Sequence, residues 1–491
     1  MFKDEYKDAL EYIDNYWEKI IYKPSRMKLE YRITNLPYEL PYADKIPYAG
    51  SKMSWGNKNA VKNKDINPTF VKLPNYYFVP NDNKFTYVFY WDSYFMFRGL
   101  LGTRREWLMK EMVENFIYLF TTFHIIPNFS APASMGRSQP PFFSSMIMDT
   151  YLKRLNPTNP YKYVTGVKAG VYKFSNRTWL KRAIQTAKEE YELVWIDKAK
   201  GYNHSVDGFG LSRYGDRDIG YAHSSELESG WDMTSRFYNR CDQFLPIDLN
   251  SFLYKYEKDF EQAAIILGEK NEELKWAQKA KDRKSEMNQY MWDDNLGFFF
   301  DYGYTYKQKS AFLSLASFVP MWSGMASSYQ ASRMREKLPY FESPYGLTIT
   351  AKESLAKPID LSAIQRRYHP AIEEIIKPKQ WDYPNIWSPL EYLTVVGLLR
   401  YGFIDDARRI MTNSIKAHNA AFRKHGTFFE KLNGETGETG RGAIYIDQQG
   451  FGWTNAAFYR YVQLLDALDS GQNIYKTPTP QEPPFELQVL S

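Results

Sequence analysis

Residues 249–291 read LNSFLYKYEKDFEQAAIILGEKNEELKWAQKAKDRKSEMNQYM, and this stretch decides the fold class. Apolar residues recur at spacings of three and four through 249–267 and again through 272–291, which is the spacing of one helix face. Gly268 is typical of a helix end, and Asn271 is a typical cap for a helix that begins with two glutamates. The sequence therefore predicts two helices joined by a short turn.

The same spacing recurs along most of the chain. It predicts further helices over residues 4–21, 105–123, 178–196, 387–401, 405–422 and 453–468. Segments rich in Pro, Gly, Asn and aromatic residues separate them, at 22–90, 125–142, 201–231, 293–307, 340–386 and 424–452. Loops this long in a compact domain are usually functional, and the chain lacks the βαβ rhythm of a parallel sheet. We expect an all-α domain whose long loops converge on one site.

The composition is that of an ordinary globular protein, with 44% hydrophobic and 24% charged residues among 491. The net charge of +6 is spread without a basic patch, so we expect no nucleic-acid partner. Because neither a membrane-length apolar run nor a signal-peptide pattern is present, we expect a cytoplasmic protein with no membrane partner. Cys241 is the only cysteine, which excludes an intrachain disulfide and a cysteine-based zinc site. The oligomeric state stays open.

Aromatic residues are unusually frequent, with 40 Tyr, 32 Phe and 13 Trp. Most of these rings belong in a large core. Aromatic faces also pack well on the C–H surfaces of pyranose sugars, while Tyr and Trp keep a polar group for hydrogen bonding. The composition is therefore compatible with a small sugar as the partner.

Five segments, which we expect in loops, combine acids, Trp, Asn and Gln at high density. They are Tyr90-Trp91-Asp92-Ser93-Tyr94, Pro127-Asn128 with Arg137-Ser138-Gln139-Pro140-Pro141, Glu228-Ser229-Gly230-Trp231-Asp232, Gln380-Trp381-Asp382-Tyr383-Pro384-Asn385, and Phe429-Glu430-Lys431 followed by Gln448-Gln449-Gly450-Phe451-Gly452-Trp453-Thr454-Asn455.

In this order the segments resemble the trehalases of glycoside hydrolase family 37 and, more distantly, family 63 glycosidases. The resemblance covers roughly residues 70–470. It implies an (α/α)6 toroid, a double ring of helices with long active-site loops, and a mechanism that inverts the anomeric carbon. On this basis we expect a helix and extended segment packed on the barrel at 1–74, the catalytic domain at 75–470 and a surface tail at 471–491.

The resemblance also assigns the two catalytic carboxyls. Asp232 matches the general acid and Glu430 the general base of the family. An inverting glycosidase needs one carboxyl to protonate the leaving oxygen and another to activate a water on the opposite face of the sugar. Without the companion segments, Asp232 would be read as a helix cap, and Glu430 as a solvated loop acid or a partner of Lys431.

Further positions match the family's substrate contacts, and each could instead serve packing or an internal hydrogen bond. The residues that we expect at the sugar are Phe85, Trp91, Asp92, Asn128, Arg137, Gln139, Glu228, Gly230, Trp381 and Gln449. The compact acidic loop of a calcium site is absent, and we expect neither a metal nor a cofactor.

Departures from the trehalase pattern concern the leaving group. Where trehalases carry PGGRF, residues 81–85 read Asn-Asp-Asn-Lys-Phe, with Lys84 in the place of the arginine. The arginine that precedes ESGWD in trehalases is missing from residues 223–227. This stretch begins with His223, and a histidine at this place resembles the pattern of family 63 members. Lysine does not replace the planar fork of arginine. A leaving group such as glycerate would need a cation, and Lys84, Arg98 or Arg137 could supply it.

The sequence predicts an inverting α-glycosidase that hydrolyses a small α-glucoside, with trehalose favoured. The alternatives are a glucosylglycerate- or mannosylglycerate-type hydrolase, or a hydrolase of another small α-glucoside, related to family 63. Two further classes stay open: a catalytically silent toroid that binds sugar, and a retaining glycosidase or phosphorylase on the same fold. Retaining chemistry needs the two carboxyls only about 5–5.5 Å apart.

Overall fold

The computed structural model describes residues 2–24, 71–131, 134–155, 172–196, 202, 204–215, 222–356, 379–440 and 447–470. Its α-helices are α1 (Phe2–Glu5), α2 (Lys7–Ile20), α3 (Tyr90–Arg98), α4 (Trp107–Phe123), α5 (Phe143–Asp149), α6 (Tyr172–Glu190), α7 (Ala222–Glu228), α8 (Ile247–Leu267), α9 (Lys270–Tyr290), α10 (Val319–Ser323), α11 (Ser328–Arg335), α12 (Lys352–Ala356), α13 (Ser388–Arg400), α14 (Ile404–His425) and α15 (Gly452–Asp469). Turns of π-helix follow α5 and α6, at Thr150–Leu155 and Tyr191–Ile196.

The strands are two residues long and form small antiparallel pairs. They are β1 (Ile21–Tyr22) with β2 (Tyr77–Phe78), β3 (Phe244–Leu245) with β6 (Tyr302–Gly303) and β7 (Gln308–Lys309), β4 (Trp292–Asp293) with β5 (Phe298–Phe299), β8 (Glu342–Ser343) with β9 (Gly346–Leu347), and β10 (Asn385–Ile386) with β11 (Leu432–Asn433). They fasten loops to one another and build no central sheet.

Six helices of the described chain form a closed inner ring. Each packs against the next in the order α3, α5, α8, α10, α13 and α15, and α15 returns to α3. Every residue of α3, α5 and α10 is buried, as is every residue of α13 except Arg400. A helix buried on all sides belongs in the centre of a fold.

Further helices pack around this ring. Helix α2 packs on α15, α4 and α6 on α5, α9 on α8, and α14 on both α13 and α15. Helix α14 has one buried face, which includes Ile410, Met411 and Ile415, and an opposite exposed face. The predicted all-α toroid of two concentric helical layers is confirmed.

The helix hairpin at 249–291 is present with one correction. Gly268 ends α8 with a left-handed backbone, φ 76°, as predicted. Helix α9 already begins at Lys270, so Asn271 lies inside its first turn and does not cap it. The cause is the tight turn, in which the Glu269 amide donates to the Ala264 carbonyl at 2.9 Å and leaves no room for a later start.

A second correction concerns residues 90–94, which we predicted in a loop. They form the first turn of α3. The helical period is hidden there because both faces of α3 are buried and aromatic, so no polar face alternates with an apolar one.

The N-terminal helix α2 belongs to the outer layer. Its Tyr16 hydroxyl donates to Asp82 Oδ1 at 2.9 Å, and the Arg105 guanidinium binds Asp14 and, at 2.6 Å, Glu18. The predicted domain limits at 74 and 470 stay predictions, because the tail and residues 25–70 lie outside the described residues. Within the described part, no helix combines the length and apolarity needed to cross a membrane.

Candidate active site

Asp232 lies in the loop that follows α7, and a glycine shapes this loop. Gly230 has φ +77°, a left-handed conformation that favours glycine. A Cβ atom placed there would lie 2.6 Å from Cε2 of Trp91, so only glycine lets the indole pack against the loop. The sequence therefore brings Trp91 of α3 next to the segment that carries Asp232.

Residues 379–382 hold this loop from behind. Each of the first three donates a hydrogen bond to a carbonyl of residues 232–234: Lys379 Nζ to Thr234 at 3.0 Å, Trp381 N to Met233 at 3.0 Å, and Gln380 Nε2 to Asp232. The backbone around Asp232 is thus fixed by a segment about 150 residues away in sequence.

Asp382 completes the clamp. Its carboxylate accepts hydrogen bonds from the Thr234 hydroxyl at 2.9 Å, the Ser235 hydroxyl at 2.7 Å and the Ser235 amide at 2.9 Å. Asp382 is fully buried, and these donors provide hydrogen bonds to both of its oxygens. It therefore supports the loop and does not face the sugar.

Five tryptophans form the apolar wall of the site. Trp381 stacks on Trp387 with ring centroids 3.9 Å apart, and it contacts Trp91 at 5.5 Å and Trp231 at 5.6 Å. Trp453 closes the cluster with its ring 5.7 Å from that of Trp387. All five rings are buried; four come from four different predicted segments, and Trp387 follows two residues after one of them, so the segments do converge.

Glu430 stands beside this cluster, just before β11. Its carbonyl accepts hydrogen bonds from Trp453 Nε1 at 3.1 Å and from the Thr454 hydroxyl at 3.2 Å, at the start of α15. Its amide donates to the Gln448 carbonyl at 2.9 Å. The pairing of β11 with β10 connects Glu430 to the segment that clamps the Asp232 loop.

Lys431 places a buried positive charge next to Glu430. Its Nζ lies 3.2 Å from Glu430 Oε2 and 2.9 Å from Asp447 Oδ1, and 4.9 Å from the centre of the Trp387 ring. Burial disfavours the charge, but the carboxylates of Glu430 and Asp447 outweigh it and raise the pKa of Lys431. Glu430 thus has a buried ammonium as its ionic partner.

Burial and repulsion act in the opposite direction on Asp232. Burial raises its pKa to about 8, the charges of Glu430 and Glu226 add to the rise, and Arg137 opposes it. Burial likewise raises the pKa of Asp92 well above its ordinary value, with contributions from Glu430 and Asp232. Asp232, Glu430 and Asp92 thus lie within electrostatic reach of one another, and burial favours the protonated form of Asp232 at neutral pH.

Three of the predicted sugar contacts have internal partners. Asn128 Nδ2 donates to the carbonyls of Ser138 at 2.9 Å and Leu227 at 3.2 Å. Gln139 Oε1 accepts from the Trp91 amide at 3.0 Å. These hydrogen bonds attach the segment of Asn128 and Gln139 to the first turn of α3 on one side and to the helix that precedes the Asp232 loop on the other.

Glu228 is the third, and both of its oxygens are engaged. Oε1 accepts from the Ser138 amide at 2.9 Å, and Oε2 from the Gly215 amide at 2.7 Å and His204 Nε2 at 2.8 Å. Since the carboxylate is also fully buried, its contribution to the site is to position loops.

The remaining predicted contacts lie at the rim. Phe85 is half-buried with its ring 5.8 Å from that of Phe451, and Arg137 is half-buried near Asp232. Gln449 is exposed, whereas its neighbour Gln448 is buried and accepts from Asn81 Nδ2 at 3.2 Å.

Of the three cations nominated for a leaving-group carboxylate, Arg137 is described above, and Lys84 and Arg98 differ in position. Lys84 is exposed at the rim, where its charge interacts with that of Glu430. Arg98 is buried in the inner ring and ion-paired with Asp149. Arg98 is therefore committed to the scaffold.

Sequence reasoning gave no role to Glu226, Lys379, Asp382 or Asp447. Each is close to a motif residue in sequence, but its contacts become visible only in the fold. Asp382 lies 147 residues from Ser235, whereas Glu226 lies only eight residues from Thr234. Among the residues that the structure describes, no group of three or more His, Cys, Asp and Glu side chains is arranged to hold a metal ion.

Comparison with known proteins supports one family. The family model for trehalase matches residues 42–226 and 214–466. Neutral trehalase Nth1 from Saccharomyces cerevisiae shares 28% identity and superposes with a TM-score of 0.62, over 78% of this chain and 72% of that one.

Two solved structures of the GH63 mannosylglycerate hydrolase from Thermus thermophilus share the fold. The complex with glucose is 18% identical with a TM-score of 0.56, and the complex with Tris and D-glycerate is 17% identical with a TM-score of 0.57. Each covers 78% of this chain and 95% of that one. Taken together with the match over most of the chain, the toroid and its convergent motif segments show that the chain belongs to the trehalase family of glycoside hydrolases.

Proposed function

We propose that the protein is an inverting α-glucosidase in which Asp232 is the general acid and Glu430 the general base. The observation that carries this proposal is the contrast between two carboxyls within electrostatic reach of each other. Burial raises the pKa of Asp232 to about 8, so it holds a proton at neutral pH. Glu430 instead has the Lys431 ammonium 3.2 Å away as an ionic partner.

The chemistry follows from these two states. Asp232 donates its proton to the glycosidic oxygen as the bond from that oxygen to the anomeric carbon breaks. Glu430 removes a proton from a water molecule, whose oxygen bonds to the anomeric carbon from the opposite face. One water is consumed, the attacked sugar leaves with inverted configuration, and both carboxyls then exchange protons with solvent to return to their starting states.

Trehalose is the substrate that we favour, because the family and the 28% identical neutral trehalase both point to it. A second candidate is a small α-glucoside with an acidic leaving group. The observation in its favour is Lys84, a cation at the rim whose charge interacts with that of Glu430, at the position where trehalases carry an arginine.

The test is to incubate the protein with trehalose and follow the anomeric protons by NMR at early times. We expect α-glucose and β-glucose in equal initial amounts, since only the attacked sugar changes configuration. α-Glucose alone would contradict inversion. If trehalose is not cleaved, the same measurement on glucosylglycerate, mannosylglycerate and other small α-glycosides decides between the two candidates.

The roles of the carboxyls are tested by Asp232→Asn and Glu430→Gln. Each should lower kcat by roughly 10²–10⁴-fold, the usual contribution of general acid–base catalysis, while sugar binding stays measurable by calorimetry. Asp405→Asn, at the exposed start of α14, is the matched control and should keep full turnover. Undiminished turnover by Asp232→Asn would refute its role, and binding without turnover by the unmodified chain would indicate a silent toroid.

A further inference from the structure

We infer that Glu226 is a positioning residue for the general acid: its buried carboxylate braces the loop of Asp232 and supplies a negative charge that keeps the proton on Asp232 above neutral pH. This inference rests on the proposed role of Asp232. It adds a carboxyl that does not touch the sugar but sets the pH range over which the acid works.

Glu226 is placed directly beneath the loop. It lies in the last turns of α7 and is fully buried. Its Oε1 accepts a hydrogen bond from the Thr234 amide at 2.6 Å, and its carbonyl accepts one from the Ser229 hydroxyl at 2.6 Å. The same hydroxyl accepts from the Trp231 amide at 3.1 Å, so Glu226 braces the loop on both sides of Asp232.

The second carboxylate oxygen of Glu226 takes no part in the hydrogen bonds that hold the loop. Among the described residues, Glu226 Oε2 has no hydrogen-bond partner although it is buried. A buried carboxylate oxygen without a partner destabilises the folded state. An amide side chain would accept from Thr234 equally well and carry no charge, so bracing alone does not require a carboxyl at this position.

Several charged and titratable groups near Asp232 and Glu226 affect the pKa values of these two carboxyls. Asp232 is affected by Glu430 and Glu226, which raise its pKa, by Arg137, which lowers it, and by the neighbouring Asp92. Glu226 faces Lys379, Asp382 and the Cys241 thiol.

Burial raises the pKa of Glu226 to about 7, against the opposing effect of Lys379 and the Thr234 hydrogen bond. Glu226 is thus ionised above pH 7 while Asp232, with a pKa of about 8, still holds its proton.

The charge of Glu226 raises the pKa of Asp232. Once Glu226 is ionised, this charge opposes loss of the proton from Asp232, so the protonated form persists to higher pH. In Glu226→Gln this charge is gone, so the pKa of Asp232 falls and the alkaline limb of the rate profile moves to lower pH. Below pH 6 Glu226 is protonated in the unmodified protein as well, and the two proteins should have similar rates.

The structure offers a closely matched control in Glu391 of α13. It too is fully buried, accepts one backbone hydrogen bond, from the Leu347 amide at 2.8 Å, and has one oxygen without a partner among the described residues. Burial raises its pKa to about 7 as well. Its neighbours are Ser414 and Tyr461 of the outer and inner helices, and not the Asp232 loop.

The experiment is the pH dependence of kcat/KM for the unmodified protein, Glu226→Gln and Glu391→Gln, with trehalose or the glycoside that the NMR panel identifies. We expect the alkaline limb of Glu226→Gln to move down by about half a pH unit or more, and that of Glu391→Gln to coincide with the unmodified profile. Glu226→Ala, which also loses the hydrogen bond to Thr234, should have lower kcat at every pH.

Coincident profiles for Glu226→Gln and the unmodified protein would overturn the inference, as would an equal shift in Glu391→Gln. Melting temperatures of both glutamine variants identify any loss of folding. Such a loss lowers the rate at every pH but does not move the alkaline limb along the pH axis. A failure of the proposed function gives a different result: Asp232→Asn would then keep its turnover. An inactive Asp232→Asn together with an unshifted Glu226→Gln would reject the inference alone.

Discussion

At the scale of single residues, the surroundings of each carboxyl decide what it does. Asp382 accepts three hydrogen bonds from Thr234 and Ser235, and Glu228 accepts from two amides and His204. The oxygens of both side chains are therefore occupied by hydrogen bonds that hold loops. Asp232 is half-buried at the pocket, and its raised pKa leaves it able to give up a proton to a substrate.

Gly230→Ala tests how closely the Asp232 loop depends on its contact with Trp91. The added Cβ would lie 2.6 Å from the indole, at a backbone with φ +77°. We expect a loss of roughly 2–4 kcal/mol in the free energy of unfolding, from the left-handed backbone and the overpacking, together with lower kcat. Urea titration and steady-state assays measure the two effects.

Gly208→Ala is the control, because Gly208 has φ +79° with open space around its Cα. It should lose about 1 kcal/mol from backbone strain and keep its turnover. Equal losses in the two variants would show that the contact with Trp91 is unimportant.

At the scale of elements, individual helices are stabilised in different ways. Inner helices such as α3 and α10 are buried on every side, so tertiary packing maintains them. Helix α11, which packs on β5, carries a local signal of its own. In α11 the Ser327 hydroxyl accepts from the Gln330 amide at 3.1 Å, while Gln330 Oε1 accepts from the Ser327 amide at 2.9 Å, forming a capping box.

Ser327→Ala should therefore lower the free energy of unfolding by about 1 kcal/mol and leave kcat unchanged, because the cap stabilises α11, which packs on β5 and contributes none of the site residues described above. Thermal unfolding and the steady-state assay provide the measurements. Ser328→Ala, at an exposed position in the same turn, keeps the cap and should change stability by less than about 0.5 kcal/mol. An unchanged melting temperature in Ser327→Ala would contradict the role of the cap.

At the scale of the whole molecule, buried polar contacts join helices of the inner ring. The Arg98 guanidinium of α3 is ion-paired with Asp149 of α5, and its Nε donates to the Tyr392 hydroxyl of α13 at 3.2 Å. Three of the six inner helices thus meet at one side chain, at the opposite end of α3 from Asp92.

Arg98→Met should lower the free energy of unfolding by roughly 3–5 kcal/mol, because it leaves the Asp149 carboxylate buried without its partner. The double variant Arg98→Met/Asp149→Leu removes both charges and should be more stable than the single variant. Urea unfolding of the three proteins tests this. A double variant less stable than Arg98→Met would show that the ion pair does more than neutralise a buried charge.

The outer helices and the motif segments can be predicted from the amino-acid sequence alone. Amphipathic helices such as 405–422 carry a 3.6-residue period because one face meets water, and this period is local information. The residues nominated as catalytic, Asp232 and Glu430, likewise lie in contiguous motifs that a family resemblance can identify.

The inner ring and the supports of the site depend on contacts that are distant in sequence. Helix α3 has no polar face, so its helical period is hidden until its neighbours are known. Glu226, Asp382 and Lys431 acquire their roles from charges and donors brought close by folding, and burial then sets which carboxyl keeps its proton. Local pattern therefore determines where helices form and which segments carry chemistry. The pKa values of the acids are decided by tertiary structure, because desolvation and charge–charge repulsion depend on distance in space and not on distance along the chain.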